Sequence, residues 1–143
     1  MSERAEPVIR AEGLTKIYRT GEVEVQALQS VDLTVDRGEF TAIAGPSGSG
    51  KTTLLNLISG LDRPTGGRVL LAGKPISQMS GGELSDFRRD HIGFIFQSYN
   101  LIPVLKVSEN VEYVMLLQGV STRDRLERVA EILVEVGLEG MED

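Results

Sequence analysis

The octet Gly45-Pro46-Ser47-Gly48-Ser49-Gly50-Lys51-Thr52 constrains this chain more than any other stretch. It satisfies G-x-x-x-x-G-K-[ST] at every required position, the pattern of a P-loop that wraps phosphate. Glu39–Ala44 before it reads as a short apolar strand, and Thr53–Ser59 after it as a buried helix ending at Gly60. Strand, glycine-rich turn and helix is the setting the motif demands. A plain glycine-serine surface loop is the alternative, and the flanking pattern argues against it.

The residue types follow from the chemistry of a triphosphate. Gly48 and Gly50 let the backbone of Gly45, Pro46, Ser47 and Ser49 curl so that N–H groups converge on an anion. The N-terminus of the next helix adds unpaired N–H groups and its dipole. Lys51 supplies a full charge for the β- and γ-phosphates. The Thr52 hydroxyl is the expected ligand of Mg²⁺, and Thr53 the expected donor to the α-phosphate. A nucleoside triphosphate with Mg²⁺ is thus the expected ligand.

Charge narrows the partners. Against 21 acidic residues stand 15 Lys and Arg, a net −6, so binding of nucleic acid through a basic surface is not expected. No cysteine is present, which removes disulfides, thiolate metal sites and cysteine nucleophiles. The opening MSERAEPVIR lacks the apolar core of a signal peptide. No apolar run approaches the ~18 residues that cross a bilayer, so membrane association is expected only through a partner. The length of 143 residues suits one domain with its own core.

In chain order, residues 1–6 read as a loose terminus. Val8–Tyr18 reads as a strand with a turn-prone Gly13, and Arg19–Glu22 as a turn. Val23–Leu28 and Val31–Val35 alternate apolar and polar, which predicts two half-buried strands. Asp36–Glu39 predicts a hairpin-like turn. Leu61–Gly67 is rich in turn residues, Arg68–Ala72 reads as a strand, and Gly73–Pro75 as a turn. Ser80 with Glu83 forms a capping box opening a short helix. The apolar run Ile92–Phe96 predicts a strand covered on both faces, ending at Gln97, with loop from Ser98 to Pro103. Ser108 is the expected cap of one helix, through Tyr113, Met115 and Leu117 to Gly119. Ser121 and Asp124 open another, carrying Leu126, Val129, Ala130, Leu133 and Val136 at helical spacing. This helix pair is expected to pack rather than to form a site.

From about Val8 onward the chain resembles the ATP-binding subunit of an ATP-binding-cassette (ABC) transporter. Tyr18, the P-loop, GLDRPTGG and HIGFIFQSYNLIP carry the resemblance, in family order. The segments VQAL, ELSDFRRDHIGFIFQSYNLIPVL and ENVEYVMLLQG are most similar to the lipoprotein-releasing and macrolide-export branch. The resemblance implies an α/β fold: an antiparallel β layer, a P-loop core with part of a mixed or parallel sheet, and the start of a helical subdomain. It implies that Tyr18 stacks on adenine, although a tyrosine at a strand end is more often plain packing. It makes Gln97 the glutamine beside Mg²⁺ and the attacking water, so that Lys51 and Gln97 are the expected catalytic residues. The bland alternative for Gln97 is a polar strand end facing water.

Further implied pieces do not follow Gln97. No LSGGQ signature, no apolar strand ending in Asp-Glu and no later histidine occurs, and His91 precedes Gln97. Met79-Ser80-Gly81-Gly82-Glu83 imitates the signature but stands on the wrong side of Gln97, and reads as a capped turn. Residues 1–143 are therefore expected to be the N-terminal portion of a nucleotide-binding domain, with little turnover alone. The implied partners are a second ATP-binding subunit, as a homodimer, and a transmembrane permease subunit. The implied location is the cytoplasmic side of the inner or plasma membrane, held through that permease. Two rivals remain: a non-hydrolysing nucleotide-binding module, and an ABC-type ATPase of cell division or DNA repair. An uncovered flank on the Ile92–Phe96 strand is expected to invite aggregation.

Overall fold

The computed structural model describes residues 6–143. Apart from Glu6, the terminus expected to be loose lies outside that range. The chain divides into two compact units, one ending at Arg88 and the other Arg89–Asp143.

In the first unit, β1 (Ile9–Thr20) and β2 (Val23–Val35) form a long antiparallel hairpin around Gly21-Glu22. Strand β1 also pairs with β3 (Gly66–Leu71), and β3 with the short β4 (Lys74–Pro75), giving the antiparallel order β2-β1-β3-β4. The helix α1 (Lys51–Ile58) lies against β1, β2 and β3. A turn of 3₁₀ helix at Ile76–Gln78 leads to α2 (Gly81–His91), which runs across the boundary at Arg88. The buried apolar set joins sheet and helices: Ala11, Leu14, Leu28 and Val69 from strands, Leu54 and Leu57 from α1, Leu84 and Phe87 from α2.

Ala11 and Leu14 are both buried although they stand three positions apart, which a regular two-residue alternation forbids. A bulge resolves this. Ala11 faces Leu33 and Leu14 faces Val31, so β1 carries one extra residue there. Gly13 takes φ +57° at the bulge and its N–H donates to Asp32 Oδ1 at 2.6 Å. Compensating irregularities on β2 fall at Ser30 and at Ala27, where Lys16 faces Leu28 but Ile17 faces Gln26. The two short strands expected over 23–28 and 31–35 are thus one strand, bent at its bulges rather than broken. The turn expected over Arg19–Glu22 narrows to two residues, because Arg19 and Thr20 still pair with Glu24 and Val23. Strand β3 begins at Gly66, two residues earlier than expected.

Two expected strands do not form. Neither 39–44 nor 92–96 has strand structure, and no ladder among the described residues includes them. A strand exists only by pairing, and these apolar runs pair with no other strand among the described residues. Phe40 is 98% exposed, and Ile95 is fully exposed. The α/β class and the N-terminal antiparallel layer hold, but no parallel ladder forms among the described residues.

The capping box of α2 is present: Ser80 N–H donates to Glu83 Oε2 at 2.8 Å, and Glu83 N–H to Ser80 Oγ at 3.3 Å. The signature-like Met79–Glu83 stretch is therefore a helix start. His91 is the exposed last residue of α2.

The second unit is a helical hairpin of α3 (Val107–Leu117) and α4 (Thr122–Glu135). Arg125 Nε of α4 donates to Glu112 of α3 at 2.8 Å, and its Nη1 to Val120 O at 2.6 Å. Ser121 caps α4 as expected, accepting from Asp124 N–H at 3.3 Å. Val129 and Leu133 are buried, while Leu126 and Val136 are exposed. Ser108 does not cap α3. The cap is Lys106, whose N–H donates to Glu109 Oε2 at 2.8 Å, and Ser108 N–H instead reaches Glu142 O at 3.0 Å. Asn110 ties down the preceding loop through Ile102, Leu105 and Lys106 backbone groups at 2.8–3.3 Å.

Candidate functional site

The first unit holds an open cleft of ≈ 550 Å³ where β2 meets the start of α1. One wall is Val25, Gln26 and Ala27. The other is Ser47, Gly48, Gly50, Lys51, Thr52 and Thr53. Helix α1 starts at Lys51, two residues earlier than the sequence pattern suggested, so its first turn lies inside the motif.

Gly50 is the pivot. It takes φ +90°, and a Cβ there would stand 2.6 Å from Ala27 O and 2.9 Å from Leu28 Cδ2. Only glycine permits both the backbone turn and this approach of the loop to the β2 bulge. Gly50 also caps α1 without any side-chain bond, and the first turn carries no acidic residue. The first N–H groups of α1 therefore keep their capacity to donate to an anion.

Lys51 lies back across the loop. Its ammonium donates to Gly45 O at 2.8 Å, Pro46 O at 2.7 Å and, more loosely, Ser49 Oγ at 3.5 Å. Gly45, Pro46 and Ser49 thus hold the cation, while Ser47, Gly48 and Gly50 line the cleft. A polyanion entering the cleft competes with neutral carbonyls for that ammonium, an exchange that charge favours. Thr52 and Thr53 complete the lining on that side.

Besides Gly45, Pro46 and Ser49, two expected residues, Tyr18 and Gln97, are not in the cleft lining. Tyr18 pairs with Val25, which is, so it stands one strand away. Its hydroxyl donates to Asp62 Oδ2 at 2.9 Å. Burial alone would raise the Asp62 carboxyl. Hydrogen bonds from Lys16, the Arg63 N–H and Tyr18 outweigh that and hold it below the usual aspartate value. Gln97 is exposed and belongs to the second unit. Sequence reasoning missed the Val25–Ala27 wall and the Asp62 contact. The alternation of 23–28 signalled a strand, but nothing local signalled that its bulge meets the loop.

The profile of the family described as ABC transporter matches residues 28–143. The chain is 45% identical over 132 residues to the macrolide export ATP-binding/permease protein MacB of Hyphomonas neptunium, covering 92% of this chain and 20% of that one. It is 44% identical over 134 residues to the lipoprotein-releasing system ATP-binding protein LolD of Chromohalobacter salexigens, covering 94% of this chain and 56% of that one. Its fold superposes with TM-score 0.86 and 41% identity on the dimeric ATP-binding cassette MJ0796, solved in a post-hydrolysis state bound to ADP and Pi. That match covers 94% of this chain and 59% of the cassette. The chain spans less than two thirds of each.

Proposed function

This chain belongs to the ABC transporter family, and from that premise we propose that residues 1–143 are the ATP-docking part of a nucleotide-binding domain. The open cleft between β2 and the N-terminus of α1, with Lys51 in its lining, supports this most directly. In this reading the loop and helix N–H groups and Lys51 take the β- and γ-phosphates. The Thr53 hydroxyl takes the α-phosphate, and Tyr18 stacks on the adenine. Binding here is a matter of positioned donors and charge, as phosphoryl transfer requires.

Mg²⁺ suits the donor set. Thr52 offers one hard hydroxyl oxygen in the cleft, and among the described residues no cluster of three His, Asp or Glu competes for a metal. Such a site would hold Mg²⁺ mainly through nucleotide phosphates and water, with the Thr52 hydroxyl as a protein ligand. The ion would neutralise charge on the phosphates when bound.

Within a complete domain, Lys51 and Gln97 would act in hydrolysis, and two such domains would pair as a homodimer. They would drive a transmembrane permease subunit from the cytoplasmic face of the membrane, powering export or lipoprotein release. Residues 1–143 alone dock nucleotide and turn it over slowly at most. The test is a titration of MgATP into the wild type and Lys51→Ala. Loss of one charge-assisted contact predicts affinity weaker by about tenfold or more. Equal affinity in the two proteins would refute the role of the loop.

A further inference from the structure

The base end of the ligand site has a brace that the phosphate chemistry does not use. Tyr18 is 39% exposed and pairs with Val25, a wall residue of the cleft. Its hydroxyl is bound to Asp62 Oδ2 at 2.9 Å, and Lys16 Nζ stands over one face of its ring, 4.9 Å from the centroid. Lys16 is itself pinned, donating to Asp62 Oδ1 at 2.7 Å and to Arg63 O at 2.7 Å. Its side chain is only 12% exposed. The ring is thus held at its tip and on one face, and a planar base has only the other face to use.

We propose that Asp62 and Lys16 are positioning residues that fix Tyr18 as a one-faced platform for the base of the nucleotide. This rests on the nucleotide reading above, and adds two residues that never touch the ligand. A tyrosine free to rotate must be ordered when a base stacks on it, at a cost in affinity. Here the ordering is done in advance by the Asp62 carboxylate, through Tyr18 directly and through Lys16. Asp62 lies in the turn after α1 and Tyr18 near the end of β1, so the brace also ties the platform to the helix that carries the phosphate loop. A purely structural tie would make the same bonds, and the two roles differ in what they do to different ligands.

The experiment compares MgATP with inorganic tripolyphosphate, which has phosphates and no base, across variants of the full chain. Tyr18→Ala is expected to weaken ATP by about tenfold, the scale of a lost stacking contact, and to leave tripolyphosphate unchanged. Asp62→Ala is expected to weaken ATP by about two- to tenfold, again without effect on tripolyphosphate. Tyr18→Phe keeps the ring and removes only the surface hydroxyl, so it keeps the test open should Asp62→Ala unfold. It is expected to weaken ATP in the same direction, and Asp62→Ala added to it should cost less than in the wild type. Equal weakening of both ligands by Asp62→Ala overturns the proposal in favour of a structural tie. Unchanged ATP affinity in Tyr18→Phe and Asp62→Ala overturns it outright. Unchanged ATP affinity in Tyr18→Ala removes the platform but leaves the phosphate loop standing. A wild type that binds neither ligand overturns the nucleotide reading, and this proposal with it.

Discussion

Gly50 carries two constraints that no other residue type meets together: φ of +90° and backbone contact with the β2 bulge. Adding one methyl group there pushes against Ala27 O, a backbone atom that cannot rotate away. Gly50→Ala is therefore expected to destabilise the first unit by about 1–3 kcal/mol, the usual cost of a strained backbone position, and to weaken MgATP binding. Thermal denaturation with and without MgATP checks both effects. A variant as stable as the wild type would mean that the loop does not rest on β2. The motif made Gly50 visible in the sequence, but its reason was not. The pattern asks for glycine near phosphate, whereas the closest neighbour of this one is Ala27, 23 positions earlier in the numbering. Tyr18 and Lys51 were likewise legible by name and not by environment, since Asp62, Pro46 and Gly45 are partners only in the folded chain.

Elements whose signals are local came through best. Ser80 with Glu83 and Ser121 with Asp124 are pairs three residues apart, and both start helices in the structure. Ser121→Ala is expected to lower stability by about 1 kcal/mol, with α4 fraying from its first turn. Backbone amide exchange over Thr122–Arg125 reads this directly, and unchanged protection there would show the cap to be idle. Elements that depend on distant pairing came through worst. Glu39–Ala44 and Ile92–Phe96 have the composition of buried strands, yet composition cannot supply the neighbour that makes a strand. Strand β2 shows the reverse case. Its apparent break near Ser30 is a bulge, because pairing with β1 continues on both sides. The cap of α3 was misplaced by two residues because the Lys106 main chain, not a hydroxyl, meets Glu109.

At the scale of the molecule, the unpaired segments leave large apolar side chains in water, Phe40 in the first unit and Ile95 in the second, and Tyr99 and Val104 in the loop after Gln97 are exposed as well. Such runs favour self-association, which should grow with protein concentration. Light scattering is expected to show this for the wild type and less of it for Phe40→Ser combined with Ile95→Ser. Scattering unaffected by the double change would place the adhesive surface elsewhere. The central claim concerns the first unit alone: its phosphate loop is built to hold the polyphosphate of ATP. Backbone amide chemical shifts, followed by NMR as MgATP is added, test it at the loop itself. The account predicts shifts concentrated at Ser47–Thr53, with smaller ones at Val25–Ala27. Saturation that leaves those amides unmoved, or moves only the α3–α4 hairpin, would contradict it.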